Sequence, residues 1–86
     1  MTITYGRVFK KMLRKQSKVI QEKFYERLAL FIKNPHYPLL NNHALGGEWD
    51  GCRSINVTGD IRAVFEEIDD KHVEFADIGS HSELYS

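Results

Sequence analysis

Cys52-Arg53-Ser54-Ile55-Asn56-Val57-Thr58-Gly59-Asp60-Ile61-Arg62-Ala63-Val64-Phe65 is the stretch on which the fold turns. Past Gly51 the chain alternates. Arg53, Ile55 and Val57 share one face, and Cys52, Ser54 and Asn56 the other. A period of two is what an extended strand imposes. That strand is expected from Trp49 to Val57. Thr58-Gly59-Asp60 is turn chemistry, and Ile61 to Ile68 is a second extended run. Asp69-Asp70-Lys71 turns the chain again, and His72 to Ile78 reads as a last strand. Gly79 breaks it, leaving Ser80 to Ser86 as a short polar tail.

Upstream the period changes. Thr2 to Tyr5 is short, alternating and rich in Thr, Ile and Tyr, so it reads as a first strand. Phe9, Met12 and Leu13 then recur at helical spacing. Lys10, Arg14 and Lys18 stand four apart on another face, with Lys11 and Lys15 as a second basic ridge. Ser17 can cap a second helix, since its hydroxyl can accept from a backbone N–H left free in the first turn. Ile20, Phe24, Leu28 and Phe31 mark the buried stripe of that helix. Asn34-Pro35 ends it, because proline lacks the donor and clashes with the preceding turn. A loop from His36 to about Gly47 follows. The order is β-α-α-β-β-β, an α+β layout with two helices on one face of a small, mainly antiparallel sheet.

The 86 residues leave room for one domain, 1–86, with a thin core that a bound partner would help to stabilise. A single cysteine, Cys52, permits no internal disulfide and suggests no metal knuckle. The longest apolar run, Leu28 to Ile32, is far too short to cross a bilayer, and Met1 to Gly6 does not read as a signal peptide. A cytoplasmic location without membrane contact is expected. Net charge is zero but unevenly spread. Met1 to Asn42 carries nine Lys/Arg and two acids, and His43 to Ser86 carries three basic residues and ten acids. Either the basic half meets a polyanion or the two halves neutralise each other in the fold.

The segment Asn42-His43-Ala44-Leu45-Gly46-Gly47-Glu48-Trp49-Asp50-Gly51-Cys52-Arg53 resembles the centre of the YafQ branch of RelE-like toxins. The ending Ile78-Gly79-Ser80-His81-Ser82-Glu83-Leu84-Tyr85 is similar to that branch's C-terminal Thr-Gly-Thr-His-x-x-Leu-Phe. The resemblance implies a RelE-like fold and the toxin of a type II toxin–antitoxin pair. It further implies an endoribonuclease that enters the ribosomal A site and cuts mRNA with no metal or other cofactor. In that chemistry the RNA 2′-hydroxyl attacks the adjacent phosphate and the 5′-oxygen leaves. A base, an acid and a cation for the crowded charge are required.

His43 and His81 fall on the branch's functional histidine positions, and histidine suits both proton roles. His81 is the expected acid and His43 the expected base, with the reverse also open. Asp60, by the same resemblance, orients a histidine or acts as base; it is equally an ordinary turn residue. Arg53 either clamps a phosphate or makes a structural salt bridge, and Arg62 is a further candidate for the phosphate. Tyr85 matches a terminal aromatic that can stack on a base or simply pin the tail. The Lys10, Lys11, Arg14, Lys15 and Lys18 ridges suit phosphates of ribosomal RNA, or are a solvated helix face.

Two positions depart from the branch. Asn56 stands where its close members have a third functional histidine; Asn can bind phosphate or ribose but cannot take a proton near neutral pH. Ile61 stands where they have Trp. These departures bear on turnover, and allow a slow or weakened nuclease. The competing reading is a ParE-like toxin that inhibits DNA gyrase without cutting RNA. On each toxin reading the expected partner is an antitoxin whose arm folds as it binds.

Overall fold

A computed structural model describes residues 1–85 of the chain. The elements are β1 (Thr2–Tyr5), α1 (Arg7–Lys15), α2 (Lys18–Lys33), β2 (His43–Ala44), β3 (Cys52–Asn56), β4 (Ile61–Asp69), β5 (His72–Ser80) and α3 (His81–Tyr85). Single 3₁₀ turns occupy Pro38–Leu40 and Gly47–Trp49. The five strands form one mixed sheet in the order β1-β5-β4-β3-β2, with β1 and β5 parallel and the other pairs antiparallel. The α+β class and the order of the six expected elements stand.

Alternation divides the sheet into two faces. Ile55 opposite Ala63, and Phe65 opposite Phe75, bury one face against the helices. Phe9 and Leu13 of α1 and Phe24, Leu28 and Phe31 of α2 complete that core. Phe75 is its centre, with ring centroids 5.5 Å from Phe9, 5.2 Å from Phe24, 5.9 Å from Phe31 and 5.6 Å from Phe65. The tilted and edge-on pairs among these rings suit their quadrupoles. A register shift on β5 sets Val64 opposite Asp77 and Phe65 opposite Phe75, so Ala76 is the extra residue of a bulge. The bulge lets Phe75 and Ile78, three apart, both face the helices.

The structure adds to the sequence reading in three places. The strand expected from Trp49 begins at Cys52, because Gly51 takes φ 90°, a conformation outside any strand. The loop from His36 contains β2, where His43 pairs with Ser54. The last strand does not break at Gly79: Gly79 pairs with Arg62 and Ser80 with Ile61, so the tail begins only at His81, is helical to Tyr85, and its last residue, Ser86, lies outside the described residues. The Lys10–Arg14–Lys18 ridge is corrected. Helix α1 stops at Lys15 and Gln16 is extended, so Lys18 opens α2. Ser17 causes the break by capping the new helix, its Oγ accepting from the Ile20 N–H at 3.3 Å. Among the described residues no helix is long and apolar enough to cross a membrane.

Replacing Phe75 with Ala removes the ring on which both helices close. It should cost about 3–5 kcal/mol, a large part of what a small domain has. A urea titration checks this: the midpoint should fall sharply or the cooperative transition vanish.

Candidate functional site

The face of the sheet turned away from α1 and α2 carries Ser54, Asn56 and Arg62. Arg62 is held on several sides. Its Nε and Nη2 donate to Ser54 Oγ at 3.0 and 2.8 Å, and its Nη1 donates to Asn56 Oδ1. Nη2 also lies 3.4 Å from the Asn41 carbonyl. Every one of these partners is neutral. Among the described residues the one ion pair is Lys23–Glu26, so the charge of Arg62 is left unmatched. A guanidinium fixed in this way is poised for an anion.

Asn41 brings His43 to this point. It adopts φ 45°, a left-handed conformation that Asn tolerates, and ends the 3₁₀ turn at Pro38–Leu40. Its carbonyl then lies 2.9 Å from His43 Nδ1, and Arg62 Nη2 lies 3.1 Å from the same nitrogen. Both contacts cannot be hydrogen bonds at once. A carbonyl only accepts, so the shorter contact requires a proton on Nδ1, and Arg62 then donates to the carbonyl instead. In this tautomer Nε2 keeps a lone pair, with no partner among the described residues.

A capping box fixes His81. Ser80 N–H donates to Glu83 Oε1 at 2.7 Å, and Glu83 N–H donates to Ser80 Oγ at 3.2 Å. Gly79 leaves room for this, since a Cβ there would lie 3.1 Å from Glu83 Oε1. His81 is the first residue of α3, and its ring meets Tyr85 edge-on at 4.7 Å. Trp49 Nε1–H donates to the Leu84 carbonyl at 2.9 Å and ties α3 to the Gly47–Trp49 turn. The Tyr85 hydroxyl is buried with no partner among the described residues.

His43, Arg62, His81 and Tyr85, with Ala44, Leu45 and Gly46, line one open cavity of about 300 Å³. It offers a fixed cation and two imidazoles to an anionic ligand. Other candidates lie outside its walls. Asn56 orients Arg62. Asp60 is exposed in the β3–β4 turn, at the end of the sheet where Ile61 pairs with Ser80. Arg53 points to the helix side, and its Nε donates to Asn42 Oδ1 at 2.8 Å; it braces the loop and makes no salt bridge among the described residues. Lys10, Lys11, Arg14, Lys15 and Lys18 are exposed on the helical layer, away from the cavity. Ser54, fully buried, was not among the candidates. Its signal was a polar residue in line with Asn56 on an alternating strand. Among the described residues no cluster of three or more His, Cys, Asp or Glu side chains could hold a metal ion.

Two carboxyls beside α3 shift in opposite directions. Burial pushes Asp77 above its ordinary value; the Ile78 N–H works against this, and the Glu83 charge adds to it. The N–H and hydroxyl of Ser80 hold Glu83 below its ordinary value. Glu83 therefore contributes stability that is present above the ordinary carboxylate range and lost as pH falls through its folded value. Asp77 has the reverse sign: its contribution is present at low pH and lost as pH rises. Asp77→Asn, which keeps the acceptor for the Ile78 N–H, should raise the urea midpoint at pH 7. The gain should vanish below about pH 4, where the carboxyl is protonated.

The family model described as "Bacterial toxin of type II toxin-antitoxin system, YafQ" matches residues 1–86. The crystal structure of YafQ from E. coli strain BL21(DE3) superposes with a TM-score of 0.82 at 25% identity, covering 98% of this chain and 97% of that one. YafQ in the E. coli DinJ-YafQ toxin-antitoxin complex gives 0.75 at 24% identity, covering 98% and 96%. The YoeB/ParE toxin from Agrobacterium tumefaciens, at 16% identity and 0.76, covering 94% and 99%, shares the fold. No curated protein matches the sequence significantly.

Proposed function

The chain belongs to the YafQ family of toxins of type II toxin–antitoxin systems, and on that premise we propose that it is a metal-independent endoribonuclease that cuts mRNA in the ribosomal A site. The observation that carries the reading is Arg62, an arginine with no carboxylate partner among the described residues, which lines one open cavity together with His43 and His81.

The scissile phosphate sits on the Arg62 guanidinium. His43 Nε2 takes the proton of the 2′-hydroxyl, whose oxygen attacks phosphorus. The bond to the 5′-oxygen breaks, and His81 gives that oxygen a proton. The products are a 2′,3′-cyclic phosphate and a 5′-hydroxyl end. Arg62 offsets the charge that builds on the phosphoryl oxygens, the interaction that usually contributes most in such sites. Tyr85 stacks on a neighbouring base, and Asp60, near the start of α3, orients His81. The exposed Lys10, Lys11, Arg14, Lys15 and Lys18 take phosphates of ribosomal RNA, which position the protein without reading sequence. Arg62 takes the phosphate role considered for Arg53.

The likeness to YafQ of the DinJ-YafQ complex supports a cognate antitoxin as partner. We place the pair in the cytoplasm. A small protein encoded beside this chain should co-purify with it; a toxin that purifies alone from its native operon would refute the pairing.

Programmed ribosomes test the activity. Wild type should cut within the A-site codon. His81→Ala or His43→Ala should lower the rate by a factor of about a hundred or more. Arg62→Ala should lower it by roughly 10²–10³. Absence of cuts by folded wild type on active ribosomes would overturn the proposal, and gyrase inhibition would be measured next.

A further inference from the structure

A second recess of about 280 Å³ adjoins the first cavity. Its walls are Gly46, Gly47, Glu48, Trp49, Leu84 and Tyr85, and Gly46 and Tyr85 belong to both cavities. We propose that this recess is a nucleobase subsite in which Glu48 favours guanine, adenine and cytosine over uracil. The inference rests on the first cavity being the phosphate site.

Two aromatic walls are held in place before any ligand arrives. Trp49 is fixed by its bond to the Leu84 carbonyl, and Tyr85 by its edge-on contact with His81. Rigid rings give a base a stacking surface at little entropic cost. Gly46 has φ −124°, which any residue adopts, and an added Cβ would meet no atom within 4 Å. The fold therefore does not require glycine there. Gly46 and Tyr85 are the wall the two recesses share, and at Gly46 no side chain stands between them.

Glu48 sets the polarity. It is exposed, has no ion-pair partner among the described residues, and is the one carboxylate in the two linings. A carboxylate repels phosphate and accepts N–H bonds. A nucleotide spanning both recesses thus puts its phosphate on Arg62 and its base edge on Glu48. Guanine, adenine and cytosine carry an exocyclic amino donor. Uracil presents carbonyls on both sides of its single N–H, and these oppose a carboxylate.

The test titrates the intact protein with 2′-deoxy dinucleotides of each base, which cannot undergo the cleavage reaction. The chain has one tryptophan, so the Trp49 indole N–H is a single NMR signal. The guanine, adenine and cytosine dinucleotides should move that signal and the Arg62 Nε–H, and should bind roughly tenfold tighter than the uracil one. Glu48→Gln, which can also donate, should bring all four within about twofold. Gly46→Val should keep the wild-type urea midpoint and lose the Trp49 response. Movement of Arg62 without Trp49, or equal affinity for all four bases in wild type, overturns the subsite and leaves the phosphate site standing. An unmoved Arg62 overturns both. Base-selective binding with no cuts on ribosomes would keep the subsite and refute only the nuclease.

Discussion

Arg62 and Phe65 stand three residues apart on β4 and point to opposite sides of the sheet, and most of the molecule is arranged around that fact. Phe65 faces Phe75 and Phe31 and closes the core. Arg62 faces the open side, where Ser54 and Asn56 receive it. A one-residue slip of β4 against β3 would exchange the two faces. It would bury a guanidinium among phenyl rings and expose the centre of the core. Register is therefore strongly specified. The Ala76 bulge completes the arrangement: without it, β5 could not place both Phe75 and Ile78 in the core while facing Asp77 to the open side.

The electrostatics follow from the same division. Twelve basic and twelve acidic residues cancel in sum, yet the one ion pair among the described residues is Lys23–Glu26. The halves do not neutralise each other by direct pairing. Arg62 illustrates the consequence. A carboxylate partner would have held it as firmly but cancelled its field. Serine, asparagine and a backbone carbonyl satisfy its N–H groups and leave its charge available. Arg53 makes the same choice on the other face, but its partner Asn42 ties it to the loop, and its work there is to brace.

Much of the fold was legible because β3, β4 and α2 obey one period along their length. The Ser17 cap was legible too, and it is what splits the basic ridge between α1 and α2. What sequence reasoning missed depends on few residues or on distant ones. Strand β2 is two residues long and exists because β3 offers it an edge. Helix α3 is five residues long, too short for a periodic signal, though Ser80-His81-Ser82-Glu83 carries the capping-box pattern. At the site, the histidines could be picked out by resemblance. The choice between Arg53 and Arg62 could not, because it depends on which face of a strand looks toward His43. The alternation of β3 was readable, and Ile55 and Val57 mark the face of Arg53 as the core side, but the return of the His43 loop to the edge of the sheet was not.

Asn56 gives the departure from the resembled branch a physical meaning. A histidine at that position can carry a proton, and when charged it has only donors to offer. It would then repel the guanidinium that Asn56 receives. Asn56 presents an acceptor oxygen at every pH and spends it on Arg62. In the proposed reaction the substitution gives up a third proton carrier and gains a permanently oriented cation. The two proton transfers then fall to His43, whose tautomer is set by the Asn41 carbonyl, and to His81, whose backbone is set by the Ser80–Glu83 box. Between those two histidines' tasks stands the geometry of one arginine, and that geometry is fixed by the buried hydroxyl of Ser54.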